Sequence, residues 1–285
     1  MNRQDFQFLH HLRVRWVEVD LQKIVFNGHY LMYLDTAMAA YWRALALPYQ
    51  DSMQQLGGDL YVVKSSLEYK ASAEYDDVLH VGLRCARVGN ASILFEACVF
   101  RGQTLLVKGE LVYVYADPQT KTSMPVPQVL RDTMLGFEQG QAMTTLALGN
   151  WTSLKADSSP LRNQVFVQEQ GVSQALEWDE QDAQALHAVL RNRLGMTIAT
   201  GRLLPSVQGE AKIGRMAVLR PMRGMRFGEQ VLQGLMDAAR ARGDSSVWLH
   251  AQCSAEPFYH RQGFVRHGEV FEEAGIAHIE MRMSL

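Results

Sequence analysis

Apolar positions in the first half of the chain recur mostly with a period of two, the rhythm of half-buried strands. Residues 12–19 (LRVRWVEV), 60–69, 78–88, 92–100 and 105–115 all read this way. Turn signals at Tyr75-Asp76-Asp77, Gly89-Asn90 and Arg101-Gly102 separate the later runs, which predicts an antiparallel meander. Residues 29–47 break the rhythm with helical spacing: Tyr30, Leu31, Tyr33, Leu34, Ala37, Met38, Tyr41 and Trp42 cover more than one face. A helix apolar over so much of its surface is expected to be wrapped by a sheet. One strand, one buried helix and four more strands make an α+β plan.

Past residue 126 the strand pattern fades. Residues 128–137 (QVLRDTMLGF) predict a short helix, and 138–150 show no strong periodicity. The boundaries expected from this are a first domain over 1–140, a linker over 141–147 and a second domain over 148–285. In the second domain Ser159-Pro160 predicts a helix start running through residue 170, with Pro160 in the first turn. An acid-rich loop, LEWDEQDAQ, follows. Strands are expected at 186–190, 196–204, 213–218 and 248–253, a short helix at 257–263 and final strands within 269–283. This is a mixed α/β order, unlike the first half, and no internal repeat links the two.

Residues 212–243 carry the sharpest local chemistry. An apolar strand (213–218) is stopped by Pro221, and Phe227, Val231, Leu232, Leu235 and Met236 then recur at helical spacing up to Gly243. Between them lies the basic, glycine-bracketed loop Arg223-Gly224-Met225-Arg226-Phe227-Gly228. The first N–H groups of such a helix lack intrahelical partners and, with the positive end of its dipole, can receive phosphate oxygens. Taken alone the segment reads first as an ordinary strand-to-helix corner with solvated arginines; the rest of the chain reverses that.

At 285 residues the chain suits two domains. Hydrophobic residues are 47%, charged residues 20% and the formal charge −2, so nothing points to nucleic acid or a membrane as the main partner. The beginning lacks the apolar run of a signal peptide and no segment is long and apolar enough to span a bilayer, which leads to an expected cytoplasmic location. Three scattered cysteines (Cys85, Cys98, Cys253) fit a reducing compartment, and nine dispersed histidines lack metal-ligand spacing, so no metal is expected.

The segment VRWVEVDLQKIVFNGHYLMYLDTA, with the later Ala-x-Tyr-Asp-Asp turn and the exit at Pro125 and Pro127, resembles hotdog-fold acyl-CoA thioesterases of the 4-hydroxybenzoyl-CoA and YbgC-like type over about residues 8–135. That resemblance implies Asp20 as catalytic carboxylate, general base or nucleophile, and N–H groups around Asn27, Gly28 and His29 as donors to the thioester carbonyl. It also implies a homodimer or larger assembly with the site between subunits. Two positions depart from the family pattern: Lys23 stands where glycine is common, and Asn27 where His or Tyr is common.

Over residues 145–285, RNQVFVQEQGV, LEWDEQDA, GRLLP, IGRMAVL, RGMRFG, LHAQ, FYHRQGF and EEAGIAHI resemble the GNAT acyltransferases, within them an ElaA-like branch. The resemblance implies that the main chain of Met216, Ala217 and Val218 pairs with the pantetheine arm. It makes Arg223, Gly224, Met225, Arg226, Phe227 and Gly228 the CoA loop, with Arg226 replacing a family glycine, and Tyr259 the acid that protonates the leaving thiolate. Phe258 is expected as a core aromatic. Glu177, Asp179, Glu180 and Asp182 are either an amine site or a solvated loop, His187 and His278 either acceptor-side bases or structural, and Cys253 a buried thiol.

The reading that results is a bifunctional acyl-CoA enzyme: hydrolysis by the first domain and acetyl or acyl transfer to an undetermined amine by the second. Acyl-CoA is the substrate of both, with no tightly bound cofactor. The alternatives are that one domain is a non-catalytic acyl-CoA-binding regulatory or scaffolding module, or that an acyl-carrier protein replaces free CoA.

Overall fold

Helix α1 (Asn27–Ala44) is the axis of the first unit in the computed structural model, which describes residues 1–177 and 179–285, the Leu176 side chain apart. Five antiparallel strands wrap it: β1 (Phe8–Arg13), β2 (Asp59–Tyr69), β3 (Val78–Val88), β4 (Ser92–Arg101) and β5 (Thr104–Ala116), in the order β1-β3-β4-β5-β2. Alternate residues of the three central strands, among them Val81, Leu83, Ile93, Phe95, Leu111 and Tyr113, are buried, as are Tyr30, Tyr33, Leu34, Ala37, Met38, Tyr41 and Trp42 of α1. Burial of large aliphatic and aromatic side chains contributes roughly 1.5–3 kcal/mol each, which is what makes this helix the centre of the unit. Helix α2 (Tyr49–Leu56) links α1 to β2. Helix α3 (Gln128–Glu138) closes the sheet end, where Glu138 Oε1 accepts from the Tyr41 hydroxyl at 2.6 Å and the Cys85 N–H at 2.9 Å.

The strand expected over 12–19 ends early. β1 stops at Arg13, and Trp16–Glu18 form a 3-10 turn because the Glu18 carboxylate folds back onto the Arg15 N–H (2.7 Å) and guanidinium (2.7 Å). A local carboxylate has overridden strand periodicity.

The chain separates by its contacts into Met1–Met143 and Thr144–Leu285. Residues 144–147 of the expected linker are therefore structural: they belong to β6 (Thr144–Gly149), which pairs antiparallel with β7 (Leu186–Asn192). The second sheet continues through β8 (Thr197–Leu203), β9 (Glu210–Val218), β10 (Ser246–Gln252), β11 (Val265–Glu273) and β12 (Ile276–Ser284), in the order β11-β12-β10-β9-β8-β7-β6. Among the described residues only β9 and β10 run parallel, and they pair at three positions, ending at Lys212 and Trp248.

Helix α4 (Trp151–Arg162) begins well before the expected Ser159-Pro160 start. Asn150 caps it, its Oδ1 accepting from the Ser153 N–H at 3.0 Å, and Pro160 lies inside. A wider π turn, Asn163–Glu169, follows directly. Short α5 (Gln174–Glu177), long α6 (Phe227–Arg242) and α7 (Glu256–Arg261) complete the unit.

Of the acid run, Glu180 is exposed, but the other three acids are not part of a solvated loop. Glu177 and Asp182 are buried, Asp179 is partly buried, and three arginines meet these three carboxylates. Arg162 bonds Glu177 and both oxygens of Asp182 (2.9 and 3.0 Å), Arg202 bonds Asp179 (2.7 Å) and Asp182 (2.6 Å), and Arg215 reaches Glu177 (3.0 Å) and Asp179 (3.1 Å). Trp178, within the same sequence motif, lies outside the described residues. Burial raises the pKa of Asp182 and Asp179, but hydrogen bonds from Arg162 and Arg202 outweigh it and hold both below the ordinary 3.8. Depressed carboxylate pKa values contribute stability that is fully present above 3.8 and is lost as pH falls below it toward the folded-state values.

Asp182→Asn leaves two buried guanidinium groups short of a charge and is expected to cost about 3–5 kcal/mol in urea unfolding at pH 7. The difference from wild type should narrow as the pH is lowered below 3.8. A loss under 1 kcal/mol at pH 7 would show that the network does not hold this loop.

Candidate active sites

In the first unit, Asp20 heads a tight reversal just before α1. Its N–H donates to Ile24 O (2.9 Å), its carbonyl accepts from Lys23 N–H (2.9 Å) and its Oδ1 accepts from Gln22 N–H (2.7 Å). The carboxylate is thus held by its own turn, half-exposed, while Val19 and Val25 bridge across the reversal. Lys23 has φ 65°, the left-handed region that favours glycine, which is the physical reason a glycine suits that place. Asn27 and Gly28 are exposed at the start of α1. The His29 N–H is taken by Phe26 O at 2.9 Å, so His29 drops out of the donor set; the N–H groups of Asn27 and Gly28 are the open ones among the described residues. The His29 ring instead sits 3.3 Å from Met32 Sδ. A Cβ at Gly28 would come within 2.9 Å of the Phe26 ring, so a side chain there would displace that ring from the helix start.

Glu18, two residues before Asp20, was not singled out by sequence. It is buried, accepts from the Tyr33 hydroxyl at 2.7 Å, and its carbonyl accepts the Phe26 N–H at 3.0 Å, tying the strand exit to the helix start. Burial alone would raise its pKa; bonds from Arg15 and Tyr33 prevail and keep it below the usual range.

In the second unit the divergence of β9 from β10 opens a cleft of about 910 Å³. Met216, Ala217, Val218, Arg223, Gly224, Arg226, Phe227, Gly228 and Tyr259 all line it; Met225 does not. Arg226 precedes α6 at φ 62° without a side-chain cap, so the first N–H groups of α6 face outward unassisted, and the replaced family glycine was in a conformation that favours glycine. Gly224 is also left-handed, at φ 81°. A Cβ on Gly228 would approach Val218 to 3.3 Å, which explains a glycine where helix and strand close on each other. Arg223 is engaged: it binds Glu169 through both oxygens (2.6 and 2.8 Å) and Val218 O (3.1 Å). Phe258, expected in the core, is half-buried and lines the cleft, its ring edge-on to that of Tyr259 at 4.9 Å.

A second cavity of about 400 Å³ adjoins the cleft. Gln170, Met216, Gln252, Ala255 and Tyr259 line both, and Gln252 donates to Gln170 Oε1 at 3.0 Å across this shared wall. Burial pushes the Tyr259 hydroxyl well above its usual range, so it stays protonated at neutral pH and has a proton to give. Beyond the wall stand Lys212, His250, Glu273 and His278. His187 lies elsewhere: it is buried with Nε2 against Asp182 O at 2.9 Å, which makes it structural. Cys253 is half-buried and lines neither cavity. Gln170, Gln252 and His250 were not singled out by sequence; Gln170 and Gln252 sit at element ends, where periodicity is silent, and His250 lies inside β10, where alternation gives only its face. Among the described residues no group of three or more His, Cys, Asp or Glu side chains is placed to hold a metal, and no helix is long and apolar enough to cross a membrane.

The sheet-wrapped helix and the splayed-strand cleft are two distinct folds, and each matches a family model. A family model described as thioesterase superfamily matches residues 22–108, beginning just after Asp20, and one described as acetyltransferase (GNAT) domain matches 154–285. A UPF0039 protein of Schizosaccharomyces pombe is 35% identical over 127 residues, 44% of this chain and 84% of that protein. An uncharacterized N-acetyltransferase of Bacillus subtilis is 33% identical over 126 residues, 44% of this chain and 89% of that protein. A solved 1,4-dihydroxy-2-naphthoyl-CoA thioesterase from Synechocystis overlaps 45% of this chain and 95% of its own at 18% identity, with a TM-score of 0.42. The chain belongs to the GNAT acetyltransferase family through its C-terminal half, and its N-terminal hotdog domain matches the thioesterase superfamily model over residues 22–108.

Arg226→Gly relieves the left-handed strain before α6 and is expected to raise stability by about 0.5–1 kcal/mol. Thermal unfolding checks this. An unchanged or lower midpoint would mean that the arginine side chain contributes more than its backbone costs.

Proposed function

We propose that the chain is a bifunctional acyl-CoA enzyme, hydrolysing thioesters with its first domain and transferring an acetyl or acyl group to an amine with its second. The observation that carries the transfer reading is the meeting of two cavities at Tyr259, one under the start of α6 and one lined by acids and bases. The thioester of acyl-CoA lies along β9, whose edge facing β10 has no strand partner beyond Lys212 among the described residues, with the main chain of Met216, Ala217 and Val218 beside the pantetheine arm and the Val218 carbonyl already accepting from Arg223. Pyrophosphate oxygens meet the N–H groups from Gly224 to Gly228 and the positive end of the α6 dipole. As the tetrahedral intermediate collapses, Tyr259 gives its proton to the departing thiolate.

In the hotdog domain Asp20 supplies the attacking oxygen, either by deprotonating water or directly, and the Asn27 and Gly28 N–H groups receive the oxyanion. Asn27 also offers a side-chain amide to orient water. The domain works as a homodimer or larger assembly, a reading supported by the exposed edge strand β2 with Val62 at 53% and Val63 at 60% exposure, and by Phe26 and Met32 left uncovered beside the candidate site. The substrates are acyl-CoA thioesters in both sites.

Asp20→Asn is expected to lower free-thiol release from acyl-CoAs, without amine present, by about 10²-fold or more. Tyr259→Phe should lower amide formation by a similar factor while leaving that hydrolysis intact. Unchanged hydrolysis in Asp20→Asn would remove Asp20 from the mechanism; tight acyl-CoA binding with no turnover by wild type would instead make the domain a binding module.

A further inference from the structure

The cavity beyond Tyr259 contains a row of titratable groups that neither the folding of the unit nor the donor chemistry requires. Glu273 Oε2 on β11 lies 2.8 Å from His250 Nδ1, and Lys212 Nζ on β9 lies 3.4 Å from the same nitrogen. The imidazole is fixed between Trp248 (5.4 Å between ring centroids) and Phe271 (4.7 Å), and stands two residues before Gln252 of the shared wall. Nδ1 cannot at once donate to a carboxylate and accept from an ammonium. The shorter, charge-assisted contact assigns the Nδ1 proton to the bond with Glu273, which leaves Nε2 as the ring's free lone pair. Other charged groups face the ring. Glu280 pairs with His250 across β12 but is tied to Arg282 (2.6 Å) and His267 (3.1 Å), and His278 points its Nδ1 at Ile276 O (2.7 Å). Burial pushes the Lys212 pKa down; Glu273 opposes this, and Arg202 and Arg215 reinforce it.

We propose that His250, held in one tautomer by Glu273, is the base that takes a proton from the acceptor's ammonium group; this rests on the transfer reading above. Nucleophilic nitrogen needs a lone pair, and an alkylamine reaches the site without one at neutral pH. His250 Nε2 accepts one N–H proton, the freed lone pair forms the C–N bond to the acyl carbon, and the carbonyl becomes an oxyanion. The C–S bond then breaks, Tyr259 gives its proton to the thiolate, and the second proton lost from nitrogen restores Tyr259. One proton ends on CoA and one leaves through His250 to solvent, so the step balances with no further reactant. A base here serves an amine that arrives charged, which cannot attack before it loses a proton, and it would equally serve an alcohol. The acceptor class put to the test is a primary alkylamine, in keeping with the transfer reading.

The test uses the full-length protein, acetyl-CoA and a panel of primary alkylamines, reading N-acetyl product by mass spectrometry so that thioester hydrolysis does not interfere. His250→Gln should lower kcat/KM for an alkylamine at pH 7 by about 10²-fold, with acetyl-CoA affinity unchanged, and the deficit should shrink as pH rises toward the amine's own pKa. Glu273→Gln, a change on a half-exposed side chain, should show the same pH pattern with about a tenfold loss, and serves where His250→Gln does not fold. A variant that keeps wild-type rates, or a deficit equal at every pH, overturns the assignment while leaving transfer intact. Wild type that binds acetyl-CoA yet makes no amide from any amine overturns the transfer reading itself, and the base with it.

Discussion

Parallel pairing between β9 and β10 ends at Lys212 and Trp248, and the capacities of the second domain follow from that ending. Were the two strands paired to their ends, the backbone edge of Met216, Ala217 and Val218 would be consumed by a ladder and no cleft would form. Unpaired backbone groups left away from water are costly, so the arrangement is stable only while solvent or a ligand occupies the gap. The divergence also carries His250 and Gln252 away from β9 and toward β11, β12 and the π turn, producing the second cavity. The left-handed Arg215, with a register shift opposite it between β8 and β9, marks where β9 bends to depart.

In both domains the candidate site includes a helix start with bare N–H groups, and the two share a common departure from that plan. Lys23 and Arg226 both occupy left-handed positions in turns shortly before those helices. Each costs about 1 kcal/mol of backbone strain relative to an ordinary conformation, and each sets a cation near the positive end of a helix dipole. Those two penalties run the same way, and an anion at the helix start offsets the second.

Periodicity made most elements legible before the structure. The helix at 29–47 and the strands at 78–88 and 213–218 were found close to their places because burial on one face is a constraint spread over many residues. Where one polar side chain decided the outcome, the pattern misled. Glu18 curls the end of the expected first strand into a 3-10 turn, and Asn150 starts α4 well before Ser159-Pro160. The acid run looked solvated because its three arginine partners come from α4, β8 and β9, distant in sequence and joined only by the fold. The residues quoted for the CoA loop lie together on one cleft wall, apart from Met225. The acceptor side could not be read in this way: His250 and Glu273 are separated by a helix and two turns, and only the neighbouring positions of β10, β12 and β11 in the sheet bring them to hydrogen-bonding distance.

Glu169, the last residue of the π turn, holds Arg223 through both of its oxygens. A carboxylate in this place is an internal competitor for any phosphate that approaches the same guanidinium. The loop is therefore kept in register when empty, and an incoming anion gains only the difference between its own contacts and those that it displaces. Such a resident rival lowers affinity for any anion that binds there, and so favours its release. It also makes the end of the π turn responsive to occupancy, since loosening Glu169 frees the residue beside Gln170, which forms part of the wall between the two cavities.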